Sequence, residues 1–166
     1  MTGIHQYGFD RLVRAVDELA GAGRISDVFI QTGSSSYRPK NCAWERAMDT
    51  AVFESRVSEA DIIISHGGAG CVASALERNK PAILVPRLMR YGEHHDDHQL
   101  ELIRELEKAG RVIAAYDVED LPRAVEKAKD FEPRPSAAKN NIAQIIRNFL
   151  DAAARQKGCF LKKAAV

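Results

Sequence analysis

Apolar positions along this chain follow two periods, and the switches between them mark its elements. Within FDRLVRAVDELA, residues 9, 12, 13, 16 and 19 are apolar at helical spacing, which predicts a helix over 9–20 stopped by Gly21 and Gly23. VFIQ at 28–31 and III at 62–64 are short apolar runs of strand length, as is PAILV at 81–85. Between them, 32–41 reads as a Ser-, Gly- and Pro-rich loop, 42–48 as a strand around Trp44, and 51–60 as a short helix. Helices are expected over 71–78, over 100–109 up to Gly110, and over 118–129 with Pro122 in the first turn. A strand is expected over 112–115 and a linker over 131–135. A closing helix over 136–154 would carry Ile142, Ile145, Ile146, Phe149 and Leu150 on one face.

Strands that alternate with helices imply an α/β fold with a mostly parallel sheet covered on both faces. One domain over 1–154 and a C-terminal tail over 155–166 account for the pattern. The tail RQKGCFLKK has an apolar pair flanked by cations, and a frayed terminus is favoured over a membrane or partner contact. The opening MTGIHQYGFDRL is unusual: it has the form of a glycine loop and helix that should follow a strand, yet almost no strand precedes it. A first strand is usually central in such sheets, and its absence would leave neighbouring backbone groups unpaired. Either the true start lies upstream or another chain supplies the strand.

Composition narrows the partners. The 24 basic residues nearly balance the 23 acidic ones, so no basic field exists to hold a nucleic acid, and nucleic acid is excluded as a partner. No apolar run approaches the roughly 18 residues of a spanning helix, and no signal-peptide pattern opens the chain. Cys42, Cys71 and Cys159 are widely spaced and form no CxxC pair, which points to reduced thiols in the cytosol.

The densest chemistry lies in DIIISHGGAG, 61–70. A strand that passes through glycines into a helix is a phosphate cradle, because the backbone approaches closely and first-turn N–H groups face the anion. The loop GEHHDDHQ, 92–99, follows the next strand and gathers His94, His95, Asp96, Asp97 and His98. Such a cluster can chelate a metal. Neighbours so close in sequence rarely converge on one ion, and no fourth ligand is evident. The competing reading is a solvated loop capping a helix that begins near Asp97.

HGGAG at 66–70, NKPAILVPR at 79–87, GEHHDDHQLE at 92–101 and LEKAG at 106–110 resemble the C-terminal domain of family 28 glycosyltransferases. The resemblance is to its stand-alone branch of PssE-type subunits of exopolysaccharide synthesis and of the catalytic subunit of dolichol-linked GlcNAc transfer. It implies a Rossmann-like parallel sheet with helices on both faces, equivalent to the donor-binding half of a GT-B enzyme. The implied reaction is inverting and metal-independent, with no cofactor. A sugar would pass from a UDP-sugar to a lipid-linked saccharide, and a membrane-anchored, PssD-like subunit would bind that acceptor. The chain would then sit peripherally at the cytosolic membrane face.

The same resemblance places His66, Gly67, Gly68, Ala69, Gly70 and Cys71 on the diphosphate loop, with Gly3 and His5 beside them. It makes Asp97 and Gln99 donor-sugar ligands within a loop that includes Glu93, His94 and His98, and it puts 48–53 near the uracil. Two positions depart from the family pattern: Cys71 stands where Ser or Thr is usual, and Ser74 where a carboxylate grips the ribose. Arg87 and Arg90 are either diphosphate partners or ordinary surface arginines. His5 is a candidate general base, although the base of a split enzyme fits better on the partner. Cys71 as a nucleophile lacks a base, and Trp44 reads as core rather than as a stacking platform. A non-catalytic activating partner is the alternative function. A two-domain UDP-sugar epimerase does not fit into 166 residues.

Overall fold

The computed structural model describes residues 1–3 and 6–134. The expected closing helix over 136–154 and the tail lie outside the described residues. The elements run α1 (Asp10–Gly21), β1 (Phe29–Gln31), β2 (Ala43–Glu45), α2 (Thr50–Glu59), β3 (Ile63–His66), α3 (Ala69–Glu77), β4 (Ala82–Val85), α4 (Gln99–Lys108), β5 (Ile113–Ala114) and α5 (Leu121–Lys129). Each matches a sequence expectation within a few residues. The largest shift is at the fifth helix, where Val118–Asp120 is a separate 3₁₀ turn and Pro122 falls at the start of α5 proper. Asp117 caps that turn from its own side chain, so the tighter winding is locally specified.

All strand pairs are parallel, as expected. They do not form one sheet, however. Among the described residues β1 pairs with β2, and β3–β4–β5 forms a second group. In the second group Ile63, Ile64, Ser65 and His66 stand opposite Ala82, Ile83, Leu84 and Val85. Every residue of β4 is buried, which explains its unbroken apolar run. Ile83, Val85, Ile113 and Ala115 face Phe9, Leu12 and Val13 of the α1 region and Leu121 and Val125 of α5 in a single core cluster. Val72 and Leu76 of α3, with Leu102, Ile103 and Leu106 of α4, are also buried.

The β1–β2 pair is tied to α1 by one carboxylate. Asp17 is 1% exposed, and it accepts the N–H groups of Lys40 (3.0 Å) and Asn41 (2.8 Å) and the Tyr37 hydroxyl (2.9 Å). At the other end of the helix Asp10 accepts the Ser36 N–H at 2.7 Å, and Ser35 Oγ accepts the Phe9 N–H at 2.8 Å. The long loop after β1 is therefore fastened to α1 at both ends. Trp44 packs half-buried against the core with the Arg38 guanidinium 5.0 Å from its ring centre, in agreement with its reading as core.

Burial alone would raise the pKa of Asp17, but the Lys40 and Asn41 N–H groups and the Tyr37 hydroxyl outweigh it and hold the group below the ordinary carboxylate range. A depressed carboxylate stabilises the fold above its unfolded pKa, and that contribution disappears as pH falls through the folded value. Asp17→Ala should cost about 2–4 kcal/mol at pH 7, because it strands buried N–H donors. Urea unfolding should show the gap between variant and parent narrowing below about pH 4. A gap independent of pH would mean that the carboxylate charge is not what holds the loop.

Candidate functional site

β3 ends at His66 and α3 starts at Ala69, so Gly67 and Gly68 make the whole turn. Gly68 occupies the N-cap and offers no side chain to cap the helix. The first intrahelical bond runs from the Val72 N–H to the Gly68 carbonyl at 3.0 Å. Helix geometry leaves the amides of 69–71 ahead of that bond directed out of the N-terminus, where the helix dipole adds partial positive charge. The nine-residue α3 is long enough for that dipole to develop.

His66 explains the glycines. Its ring is buried at 9% exposure, and the backbone folds over it from two sides. A Cβ on Gly3 would lie 3.0 Å from His66 Cε1, and Gly3 has φ of +70°. A Cβ on Gly68 would run into His66 Nε2. Any side chain at either place would lift the loop off the imidazole. Gly70, by contrast, opens onto free space. A Cβ on Gly33, after β1, would meet the Gly3 carbonyl. The loops after β1 and β3 thus converge on Gly3 at the C-terminal ends of the strands, the place expected for a ligand.

The loop after β4 forms the other wall, and here the structure corrects the sequence reading. Arg87 is not a surface arginine: it is 1% exposed. Its guanidinium donates to the carbonyls of Thr2 (2.8 Å), Tyr7 (3.0 Å), Gly8 (2.8 Å) and Glu93 (3.1 Å). Burial lowers its pKa from the ordinary arginine value, with the nearby Glu93 charge acting in the opposite direction. Arg87 positions the N-terminal glycine loop and does not reach outward as a free diphosphate ligand. The exposed Arg90 is the surface residue of the two, ion-paired to Asp117 at 2.9 Å.

Glu93 is likewise a positioning group. Its carboxylate accepts from Arg11 Nε (3.0 Å) and Nη2 (2.9 Å) and from the Leu88 N–H (3.1 Å). Arg11 also donates to Asp117 at 2.8 Å. Gln99, 2% exposed, accepts the Arg87 N–H at 3.1 Å through Oε1, which leaves its –NH₂ group as donor. Asp97 is exposed and accepts the Met89 N–H at 2.7 Å. It therefore closes the preceding turn and does not cap α4, whose N-cap is His98 without a side-chain cap bond. His98 contacts Asp96, and His94 lies 3.1 Å from the same carboxylate. His94, His95 and Asp96 place donor atoms within 4.8 Å of one another, a possible three-ligand set on adjacent residues.

Ser74 and Cys71, the two departures from the family pattern, lie on α3 and are half-buried. Ser74 Oγ donates to Glu54 Oε1 of α2 at 3.3 Å, and Glu54 also pairs with Arg78. A carboxylate thus stands beside position 74 after all, supplied by another helix. Met48 and Phe53, in the segment that the resemblance puts near the uracil, line a cavity between β1 and β3. His5 lies outside the described residues. Sequence reasoning missed Arg11 and Glu54. Both sit among ordinary surface charges in the pattern, and only the tertiary fold reveals their partners.

Arg87 supplies the site's most testable support. Arg87→Met keeps volume but strands buried carbonyls and should cost about 3–5 kcal/mol in denaturant unfolding. Arg87→Lys should recover less than half of the loss, because an ammonium cannot span the same fork of acceptors. A neutral Arg87→Met would show that the clamp does not hold the loop.

Comparison with known proteins agrees with this geometry. The family model for the glycosyltransferase family 28 C-terminal domain matches residues 7–156. A protein of Cryptococcus neoformans var. neoformans serotype D named UDP-N-acetylglucosamine transferase subunit ALG13 is 40% identical over 76 residues, covering 45% of this chain and 36% of its own. The Homo sapiens protein of the same name is 40% identical over 117 residues, 63% of this chain and 10% of the human one. That of Eremothecium gossypii is 28% identical over 102 residues, 59% of this chain and 48% of its own. The chain thus spans less than half the length of these relatives. A match across nearly its whole length, with the glycine loop, the buried His66 and the clamped loop after β4 in place, makes this chain a member of the glycosyltransferase family 28 C-terminal domain family.

Proposed function

We propose that this chain is the donor-binding and catalytic half of a two-component, UDP-sugar-dependent glycosyltransferase. The observation that carries the reading is the N-terminus of α3, presented by a turn in which Gly68 is required by His66 and Gly67 by Ile103 and Gln99. The diphosphate of the donor sits on the amides of 69–71, with the backbone of Cys71 serving where a hydroxyl is usual. As the glycosidic bond to the departing diphosphate breaks, the amides and the helix dipole take up the charge that accumulates on the leaving oxygen. The reaction needs no metal in this reading. Asp97 and the –NH₂ group of Gln99 hydrogen-bond the donor sugar. His94 and His98 stand as phosphate neighbours, and Glu54 serves the ribose hydroxyls in place of the carboxylate that Ser74 lacks.

The name shared by the relatives, a subunit of UDP-N-acetylglucosamine transferase, supports GlcNAc as the sugar and a second polypeptide as partner. That partner is membrane-anchored, binds a lipid-linked saccharide and carries the general base that takes the acceptor hydroxyl proton. The transfer belongs to glycan or exopolysaccharide assembly at the cytosolic membrane face. No helix among the described residues is long and apolar enough to cross a membrane.

Calorimetry with UDP, UDP-GlcNAc, UDP-glucose and UDP-galactose, with and without EDTA, tests the reading. UDP should bind with unchanged affinity in EDTA, UDP-GlcNAc should be preferred, and Gly68→Ala should abolish binding while the chain stays folded. Glu54→Ala should weaken UDP several-fold. Binding lost on chelation would overturn the metal-free mechanism and turn attention to His94, His95 and Asp96. Donor binding without turnover in the presence of the acceptor-binding partner would reduce the chain to an activator.

A further inference from the structure

The loop between β4 and α4 gathers side chains that the donor site does not use together. Asp96 is their hub. Its Oδ1 lies 3.1 Å from His94 Nδ1, its Oδ2 lies 3.1 Å from His95 Nε2, and His98 Nδ1 also contacts Oδ1. The ring centres of His94 and His95 are 4.2 Å apart, and those of His94 and His98 are 4.7 Å apart. Neighbours in sequence usually point away from one another, and here two features make them converge. The backbone bends at His95 and Asp96. His94 and His98 then offer the ring nitrogen nearest their own backbone, whereas the exposed His95 reaches back with its far nitrogen.

The cluster stands on a fixed platform. Glu93 before it is held by Arg11 through its carboxylate and by Arg87 through its carbonyl. Gln99 after it accepts the Arg87 N–H, and Asp97 accepts the Met89 N–H. A ligand at the cluster therefore loses little in ordering the loop. The spacing suits a small tetrahedral ion. With metal–ligand bonds of about 2.1 Å, neighbouring donors of such an ion stand about 3.4 Å apart. The donor atoms of His94, His95 and Asp96 all lie within 4.8 Å of one another, and both of their direct contacts are 3.1 Å. His98 reaches the same carboxylate and is the fourth ligand that residue order alone does not reveal. Imidazoles with one carboxylate suit zinc and its transition-metal neighbours, whereas magnesium and calcium favour oxygen throughout. The Asp96 charge also offsets the N-terminus of α4, whose dipole by itself would oppose a cation.

We propose that His94, His95, Asp96 and His98 form a Zn²⁺ site, and that zinc held there opposes binding of the UDP-sugar. The metal site stands on the geometry of the loop alone. The antagonism rests on the donor site proposed above, in which His94 and His98 are phosphate neighbours. Coordination occupies the lone pairs of both rings and keeps them turned toward Asp96. Four protein ligands close the shell, so the ion has no open position for a phosphate oxygen. Zinc is then a regulator that takes no part in the transfer, and the metal-free chain is the competent form. The coupling is reciprocal: the factor by which zinc weakens UDP is the factor by which UDP weakens zinc.

The test titrates the 166-residue chain with ZnCl₂ by calorimetry and records the visible spectrum of Co²⁺ in the same site. One equivalent of zinc should bind, excess Mg²⁺ should not displace it, and cobalt should show the intense bands of a four-coordinate ion. His95→Gln and Asp96→Asn should each weaken zinc by at least about tenfold. His95 is exposed, so its variant keeps the fold, and circular dichroism verifies this for both. Saturating zinc should then weaken UDP by about fivefold or more, with full recovery in EDTA. His95→Gln at the same zinc concentration should bind UDP as the metal-free chain does, which also corrects for zinc bound by UDP itself. Absence of a zinc equivalent, zinc held equally well by both variants, or an octahedral cobalt spectrum overturns the metal site. Zinc bound at the cluster with UDP affinity unchanged or increased overturns the antagonism. A chain that binds zinc but takes up no UDP in EDTA overturns the donor reading instead, while the loss of zinc in the two variants still upholds the metal site.

Discussion

The buried guanidinium of Arg87 is the constraint on which the described structure depends. It sits just past the end of β4, the most deeply buried strand, and gathers backbone carbonyls from Thr2, Tyr7, Gly8 and Glu93. These carbonyls belong to segments about 80 residues apart, none of which has a regular partner of its own there. The arrangement extends outward through charges. Glu93 is held by Arg11, Arg11 also holds Asp117, and the Phe9 ring lies between the Arg11 and Arg87 guanidinium groups at 5.5 and 4.8 Å. Burial disfavours the Arg11 charge, but Glu93 and Asp117 more than restore it, so its pKa stands above the ordinary value. A buried cation of this kind is weak evidence of net stability. What it fixes is geometry: the glycine loop at Gly3, the start of α1 and the turn before α4 take one relative position.

That geometry bears directly on the candidate site. Gly3 covers the His66 ring, and its position depends on Thr2, whose carbonyl Arg87 holds and whose N–H reaches β1. The N-terminus of α3 is set by the same imidazole from the other side, through Gly68. An anion at α3 therefore meets a surface whose backbone is already ordered, and little of its binding energy is lost in arranging the loop. Gln99 links the two walls, because its Oε1 accepts the backbone N–H of Arg87 itself. The residue that the resemblance makes a sugar ligand is thereby part of the clamp through its Oε1, with its –NH₂ group left as donor.

Much of the architecture was legible in the sequence because it rests on period and punctuation. The helical spacing at 9–20, the apolar run of β4 and the stop at Gly110 are local signals, and each yields the element found. The glycine loop was legible for the same reason. What the sequence could not disclose is pairing at a distance. Arg87 reads as a surface residue because its carbonyl partners are backbone atoms, which leave no trace in residue identity. Ser74 reads as a defect because the compensating Glu54 lies on a different helix, 20 positions away. That Met48 and Phe53 turn into the cavity between β1 and β3 was likewise not legible from their order in the sequence. These features share one cause, which is that burial of a polar or apolar side chain is decided by neighbours that sequence order does not name.

The divided sheet connects the fold to the site in a way neither feature shows by itself. In a parallel sheet the central strand delivers the chain to the ligand-binding edge. Here that delivery falls to residues 1–3, which carry a strand's bonds for two residues and then bend at Gly3 over His66. The positive φ of Gly3 and the Arg87 clamp keep this short segment in place. The clamp thus acts at the point where the two strand groups part, and the glycine turn before α3 leans on that same point. A change that loosens the cavity between β1 and β3 must therefore travel through Thr2 and Gly3 to reach His66, and it would disturb the N-terminus of α3 before it disturbed the β3–β4–β5 ladder, which has its own buried core.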